Sequence, residues 1–255
     1  MRVGCMVVGL VLLFGVAGSS QLAAQVHYSQ KAFYLRGIIG IGTQFLNDVD
    51  DATKEYEKIF TDAGIAADFE SFGPVLDLAF EVGYRYSQSI STGLAFSYQG
   101  NSVDNDVSGF SFAFSDRLEL FIVDITGDVS YWPAIARGLF FGVNGGVGYC
   151  EVDEKLAFRD VLFPGNDFDL TGKWEGFGPV FGIFAGFEFG TSSRTTLFSK
   201  AGFYYRNFGS LDGDVTVSAL GIDETTKEPK TNRAGEPVDF DFSGFYLKVG
   251  VGVPF

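Results

Sequence analysis

Apolar and polar side chains alternate one by one along much of this chain. That period of two sorts them onto opposite faces of a β-strand, and no amphipathic helix produces it. From Leu76 to Tyr86 the alternation is unbroken, with Leu76, Leu78, Phe80, Val82, Tyr84 and Tyr86 on one face and Asp77, Ala79, Glu81, Gly83 and Arg85 on the other. The last stretch repeats it, setting Phe245, Leu247, Val249, Val251, Val253 and Phe255 against Tyr246, Lys248, Gly250 and Gly252. One face suits lipid, the other a polar lumen.

Segments of roughly ten residues, the length of a membrane-crossing strand, recur eight times. They fall at about Lys31–Phe45, Leu76–Tyr86, Gly93–Gln99, a fourth ending near Trp132, Leu139–Tyr149, Phe177–Phe189, Leu197–Arg206 and Phe245–Phe255. The fourth is irregular. Phe121, Val123, Ile125, Val129 and Tyr131 share the outward parity, whereas Phe110, Phe112, Phe114, Leu118 and Leu120 upstream hold the opposite one, which predicts a bulge or break near Leu118 to Phe121. Connections alternate long (46–73, 100–116, 151–176, 207–239) and short (87–89, 133–138, 190–193). An even number of strands can close on itself and leave no unpaired edge in lipid. The expected fold is all-β: an eight-stranded antiparallel transmembrane up-and-down β-barrel with long extracellular loops and short periplasmic turns. Inside the first long loop, Tyr56, Ile59, Phe60 and Ala63 share a helical face, so a short amphipathic helix is expected over Ala52–Ala63.

The N-terminus reads differently. Arg2 precedes an apolar run from Val7 to Val16 and small residues to Ala24, the pattern of a cleaved signal peptide over 1–24 that leaves 25–255 as one barrel domain. That run is too short to cross a bilayer as a helix. With Cys5 removed, Cys150 has no partner for an internal disulfide. Glycine (34), Phe (29) and Tyr (11) are abundant, which suits strands with tight interior packing and aromatic belts. The formal net charge of −14 repels phosphate backbones, so nucleic acid is not an expected partner.

Candidate chemistry is sparse. His27 is the one histidine and precedes the first strand, so a hydrolase triad has no base and no enzyme is expected. No cysteine pair or histidine cluster offers a transition-metal site, and Asp48-Val-Asp50-Asp51 lacks the spacing and closing Glu of an EF-hand loop. Neither a metal nor a cofactor is expected. Arg36, Glu81, Arg85, Asp128, Glu188, Lys200 and Lys248 all carry inward parity. Because an eight-stranded barrel is only wide enough for side chains or one small ligand, they are expected to pair as an ionic plug or to line a polar gate. Phe184, Tyr204 and Tyr246 are read as an apolar upper chamber, fed from the third long loop by Leu156, Phe158, Leu162 and Phe163 as a path for a hydrophobic solute.

The terminal Phe255, with Phe245, Val251 and Val253 on the same face, resembles the C-terminal signal of bacterial outer-membrane β-barrels. The resemblance implies an outer-membrane location, lipid contact and recognition by the barrel-assembly machinery. A closed polar floor resembles the small OmpA and OmpX types. An apolar chamber above it resembles the OmpW/OprG family, which implies uptake of small hydrophobic solutes by lateral release, with Pro179 or the fourth-strand irregularity as the seam. Palmitoyltransferase and protease barrels are similar in architecture but rely on a histidine that this barrel lacks. Two functions are carried forward. One is a narrow channel or transporter for small hydrophobic solutes; the other is a non-conducting structural barrel whose loops 46–73 and 207–239 bind host or envelope partners.

Overall fold

The computed structural model describes residues 32–44, 47–70, 72–109, 111–136, 138–192, 195–219, 222–231 and 237–255. The expected signal peptide and His27, and Lys31 and Phe45 at the ends of the expected first strand, lie outside them. In chain order the elements are β1 (Ala32–Gly42), α1 (Asn47–Asp62), β2 (Val75–Arg85), β3 (Ile90–Ser108), β4 (Phe112–Tyr131), β5 (Leu139–Asp160), a 3-10 turn (Pro164–Asn166), β6 (Phe168–Ser192), β7 (Thr195–Ser210), β8 (Asp212–Ala219), β9 (Ile222–Pro229), β10 (Asp239–Asp241) and β11 (Gly244–Pro254). β1 to β7 pair in sequence, β11 follows β7, and β11 closes on β1 with Leu35 opposite Val253 and Gly42 opposite Tyr246, every pairing antiparallel. The result is a ring of eight strands.

The outer wall carries a band of exposed apolar side chains, among them Ile39, Leu78, Phe80, Phe96, Ile125, Val143, Phe181 and Val249. Aromatic rings edge it above, where Tyr98, Phe121, Tyr149 and Phe177 touch in series at centroid distances of 5.2, 6.4 and 5.1 Å. Phe33, Tyr84, Tyr86 and Phe255 edge it below. On β4 the ten steps from Phe121 to Tyr131, at about 3.4 Å each and tilted about 40°, cover roughly 26 Å, the height of the apolar band of an outer-membrane barrel. An apolar wall facing outward and a polar, hydrogen-bonded interior are stable only in lipid. The chain is a transmembrane β-barrel.

The fourth strand corrects the sequence reading. β4 pairs with β3 and β5 without any register shift, and its inward side runs without a break through Phe114, Asp116, Leu118, Leu120, Ile122, Asp124, Thr126, Asp128 and Ser130. No bulge lies between Leu118 and Phe121. The apolar residues change faces there because the surroundings change. Below Phe121 the wall meets lipid, so Val123, Ile125 and Val129 point out; above it the wall meets water, so Ser115, Arg117 and Glu119 point out and the apolar side chains turn in.

Much of what the sequence suggested as loops 100–116 and 151–176 is therefore strand, since β3 with β4 and β5 with β6 continue as tall hairpins above the lipid. β8 joins the upper half of β6, β9 pairs β8, and α1, residues 63–70 and 72–74, and β10 sit among them. This extracellular crown has its own apolar interior. One part gathers Leu118, Leu120, Ile122, Cys150, Val152, Trp174, Phe208, Leu211, Val215, Val238, Phe240 and Phe242. The other packs Phe69, Val107, Phe114 and Leu156 with Phe60, Ile65, Phe112 and Phe158. The expected helix forms, longer than predicted, and of its proposed apolar face Phe60 packs inward while Ile59 is exposed.

A bulge does exist, on the seventh strand. β6 leaves β7 at Val180–Arg206 and resumes with β8 at Glu175–Asp212, so Gly176–Pro179 face one residue more, Asn207–Leu211. Gly209 holds a φ of +62° inside it, a conformation that a side chain disfavours. The extra residue moves the inward parity from Arg206 and Phe208 to Leu211 and Val215, which brings apolar side chains into the crown.

Candidate functional site

Inward parity brings the lumen's charges together, and strand pairing fixes their heights. In the lower tier Arg36 bridges two carboxylates, with Nη1 2.8 Å from Glu81 Oε1 and Nη2 3.4 Å from Glu188 Oε1. Arg85 Nη2 reaches Glu188 Oε2 at 2.7 Å, and Lys200 Nζ lies 3.6 Å from Glu81 Oε2. Asp128 accepts a hydrogen bond from Ser130 Oγ at 3.2 Å. It converges with Glu81 over Gly93, where a Cβ would lie 2.4 Å from Asp128 Oδ1 and 3.2 Å from Glu81 Oε1.

An upper tier centres on Lys248, whose Nζ is 2.6 Å from Asp77 Oδ2. Arg206 pairs with Asp124 and donates to Gln99 Oε1 at 2.9 Å. Gln44 and Ser97 add bonds to Gln99 and Asp124, both at 3.2 Å. All seven lumen charges read from the sequence are inside the barrel. Asp77, Asp124 and Arg206 were not counted among them, although their parity was the available signal.

Aromatic rings fill the space between the ions. Arg36 lies 4.3 Å from the Tyr34 centroid and 4.8 Å from that of Phe198, Arg85 4.1 Å from Trp132, Lys200 5.1 Å from Phe184, Arg206 4.0 Å from Tyr204 and Lys248 5.0 Å from Tyr246. Each desolvated cation thereby gains a π-face as well as a carboxylate, which offsets part of the cost of leaving water. Chemically the arrangement is a cross-linked network of paired ions and aromatic rings.

The expected hydrophobic path is not assembled. Phe184, Tyr204 and Tyr246 are buried in the lumen with Ile38, Trp132, Phe140 and Phe198, interleaved with the ion pairs and not above them. Leu156 and Phe158 belong to the crown interior. Leu162 and Phe163 are exposed at the tip of the β5–β6 hairpin. A recess of about 580 Å³ lies on the outer wall instead, where Gly127 and Gly145 leave a hollow among Val129, Val143, Phe181 and Tyr205, and it faces lipid. The four residues read as an assembly signal, Phe245, Val251, Val253 and Phe255, all point outward, with Phe255 stacked on Phe33 at 6.0 Å.

One polar cluster sits within the crown. Asp116 and Glu154 are buried inward residues of β4 and β5. Lys230 Nζ lies 2.5 Å from Glu154 Oε2 and 4.5 Å from the Trp174 ring centroid. Asn105, directly across from Asp116, accepts the Glu70 amide at 2.7 Å. Burial and the neighbouring Glu154 push the Asp116 carboxyl up to about 7, against the pull of Lys230.

No family model and no curated relative matches the chain. Among solved structures, a major outer membrane protein from Thermus thermophilus is similar at 11% identity and a TM-score of 0.48, covering 87% of this chain and 99% of its own. OprG from Pseudomonas aeruginosa is 14% identical with a TM-score of 0.39, over 90% and 97% of the two chains. CarO2 from Acinetobacter baumannii is 12% identical with a TM-score of 0.39, over 89% and 100%.

Proposed function

We propose that this protein is a non-conducting outer-membrane barrel whose task is performed by its extracellular crown, a structural and surface-interaction module. The observation that carries the reading is the filled lumen. Two tiers of paired ions packed among aromatic rings occupy the bore, and the apolar crown interior stands above them. Opening a water path would strand several buried charges, and breaking one such pair alone costs about 3–5 kcal/mol. The reading assigns the chain no catalytic role.

Single-channel recording of the refolded barrel in planar bilayers tests this. Silence is expected both for the native chain and for Glu81→Gln; steady openings in the native chain would overturn the reading. A second reading keeps transport but moves it to the wall. It would route a hydrophobic solute laterally through the irregularly paired stretch Gly176–Pro179 opposite Asn207–Leu211 near the outer lipid border, where Gly178 keeps the two backbones in close contact. Uptake of a fluorescent alkane into the same bilayers, with the lumen silent, would select it.

Two accompanying proposals concern biogenesis. Residues 1–24 act as a cleaved export signal, and the outward Phe245, Val251, Val253 and Phe255 are what the barrel-assembly machinery reads.

A further inference from the structure

The tip of the β5–β6 hairpin turns its apolar side chains outward. Val161, Leu162 and Phe163 are 63, 57 and 65% exposed, and Ile222, at the tip of the β8–β9 hairpin, is 69% exposed. Strand pairing sets Ile222 two strands from Phe168, about 10 Å away. From Tyr149 at the upper lipid border, twelve residues of tilted strand lift Val161 roughly 30 Å above the membrane. The tip is therefore clear of the lipid in which its own barrel sits.

Four of its backbone amides already have acceptors. The Val161 amide donates to Ser111 O at 2.7 Å. The Leu162 and Phe163 amides both donate to Asp160 Oδ1 at 2.9 Å. The Asn166 amide donates to Phe163 O at 2.8 Å, and Asn166 Nδ2 donates to Asp160 Oδ2 at 3.1 Å. The polar atoms face into the turn and the side chains face out. A loop built this way carries the amides of Val161, Leu162, Phe163 and Asn166 into an apolar phase already paired. It is also convex, so the partner it fits needs no matching cavity.

The collar beneath is acidic. Asp160, Asp167 and Asp169 surround the tip, and Arg159 is committed to Asp169 at 2.5 Å. Asp223 stands beside Ile222. This excess of carboxylate repels anionic surfaces and complements a quaternary ammonium. We infer that the apolar summit of the crown inserts into a choline-bearing, zwitterionic lipid surface held against the cell. The inference rests on the surface-interaction reading and names its partner.

The test uses the whole barrel refolded into nanodiscs, tethered to a surface and exposed to vesicles of phosphatidylcholine or of phosphatidylglycerol, with empty nanodiscs as background. The native chain is expected to capture phosphatidylcholine vesicles at least tenfold better than phosphatidylglycerol ones. Leu162→Asp combined with Phe163→Asp is expected to lower that capture at least tenfold while the folded barrel's gel mobility is unchanged; Ile222→Asp, in the other hairpin, should weaken it independently. Absent capture by the native chain, equal capture of both lipids, or undiminished capture by the double variant would each overturn the inference. If capture fails while the barrel stays electrically silent, the lipid partner alone is wrong. Steady conductance would remove the reading beneath it.

Discussion

Lys248 and Asp77 meet across the lumen side of β11, β1 and β2, each almost fully shielded from water. Neither charge would be tolerated alone at that depth, and their 2.6 Å contact does not make the pair a net source of stability, because desolvation consumes most of the Coulomb gain. Lys248→Met is therefore expected to destabilise the barrel by about 3–5 kcal/mol, and adding Asp77→Leu to restore most of that loss. Urea unfolding of the two refolded variants, followed by tryptophan fluorescence, gives the comparison; equal losses would show that the pair does not act as a unit. Parity in the sequence was enough to place Lys248, Arg36 and Glu188 inside. It could not pair Arg206 with Asp124, because β7 and β4 face each other across the bore and a single sequence records only which way a side chain points.

At the scale of the element, the strands were legible wherever lipid touches one face and the lumen the other, since that contrast writes a period of two into β2, β5 and β11. It failed on β4 for a physical reason. A reversal of apolar parity looks the same whether the chain slips by one residue or the solvent changes from lipid to water, and here the solvent changes. The true bulge, at Gly209, left only a glycine among residues 207–211, in a stretch that reads as loop. The closing strand β11 is the element on which assembly is proposed to depend. Deleting Phe255 removes the ring that stacks on Phe33 and the amide that donates to Phe33 O at 2.9 Å. The expected outcome is a severalfold fall in membrane-inserted protein in cells with little change in unaided refolding into detergent. Equal insertion in cells would sink the signal role.

The whole molecule consists of two regions stacked along one set of strands, a lipid-soluble barrel and a water-soluble crown, and they should respond differently to pH. Asp116 lies in the crown, with its carboxyl raised from 3.8 to about 7. Below pH 3.8 both folded and unfolded chains hold the proton and the group is neutral in its effect. As pH rises toward 7 the unfolded chain releases the proton more readily, so crown stability falls across that window and levels off above it. Asp116→Asn should raise crown resistance to proteolysis at pH 8 and leave it unchanged at pH 4, with the barrel fragment resistant throughout; a gain of equal size at both values would mean that the carboxyl is not the cause. The plane at which the strands exchange their faces has one more effect. Arg117 and Glu119 stand just above Phe121 on the outer side of β4, and Lys173 and Glu175 just above Phe177 on that of β6. If the protein sank by two residues, Glu119 and Glu175 would be drawn to the lipid border, with Arg117 and Lys173 next; if it rose by two, the apolar band would enter water. The molecule is held at a fixed depth and upright, and its summit is carried at one constant height above the cell.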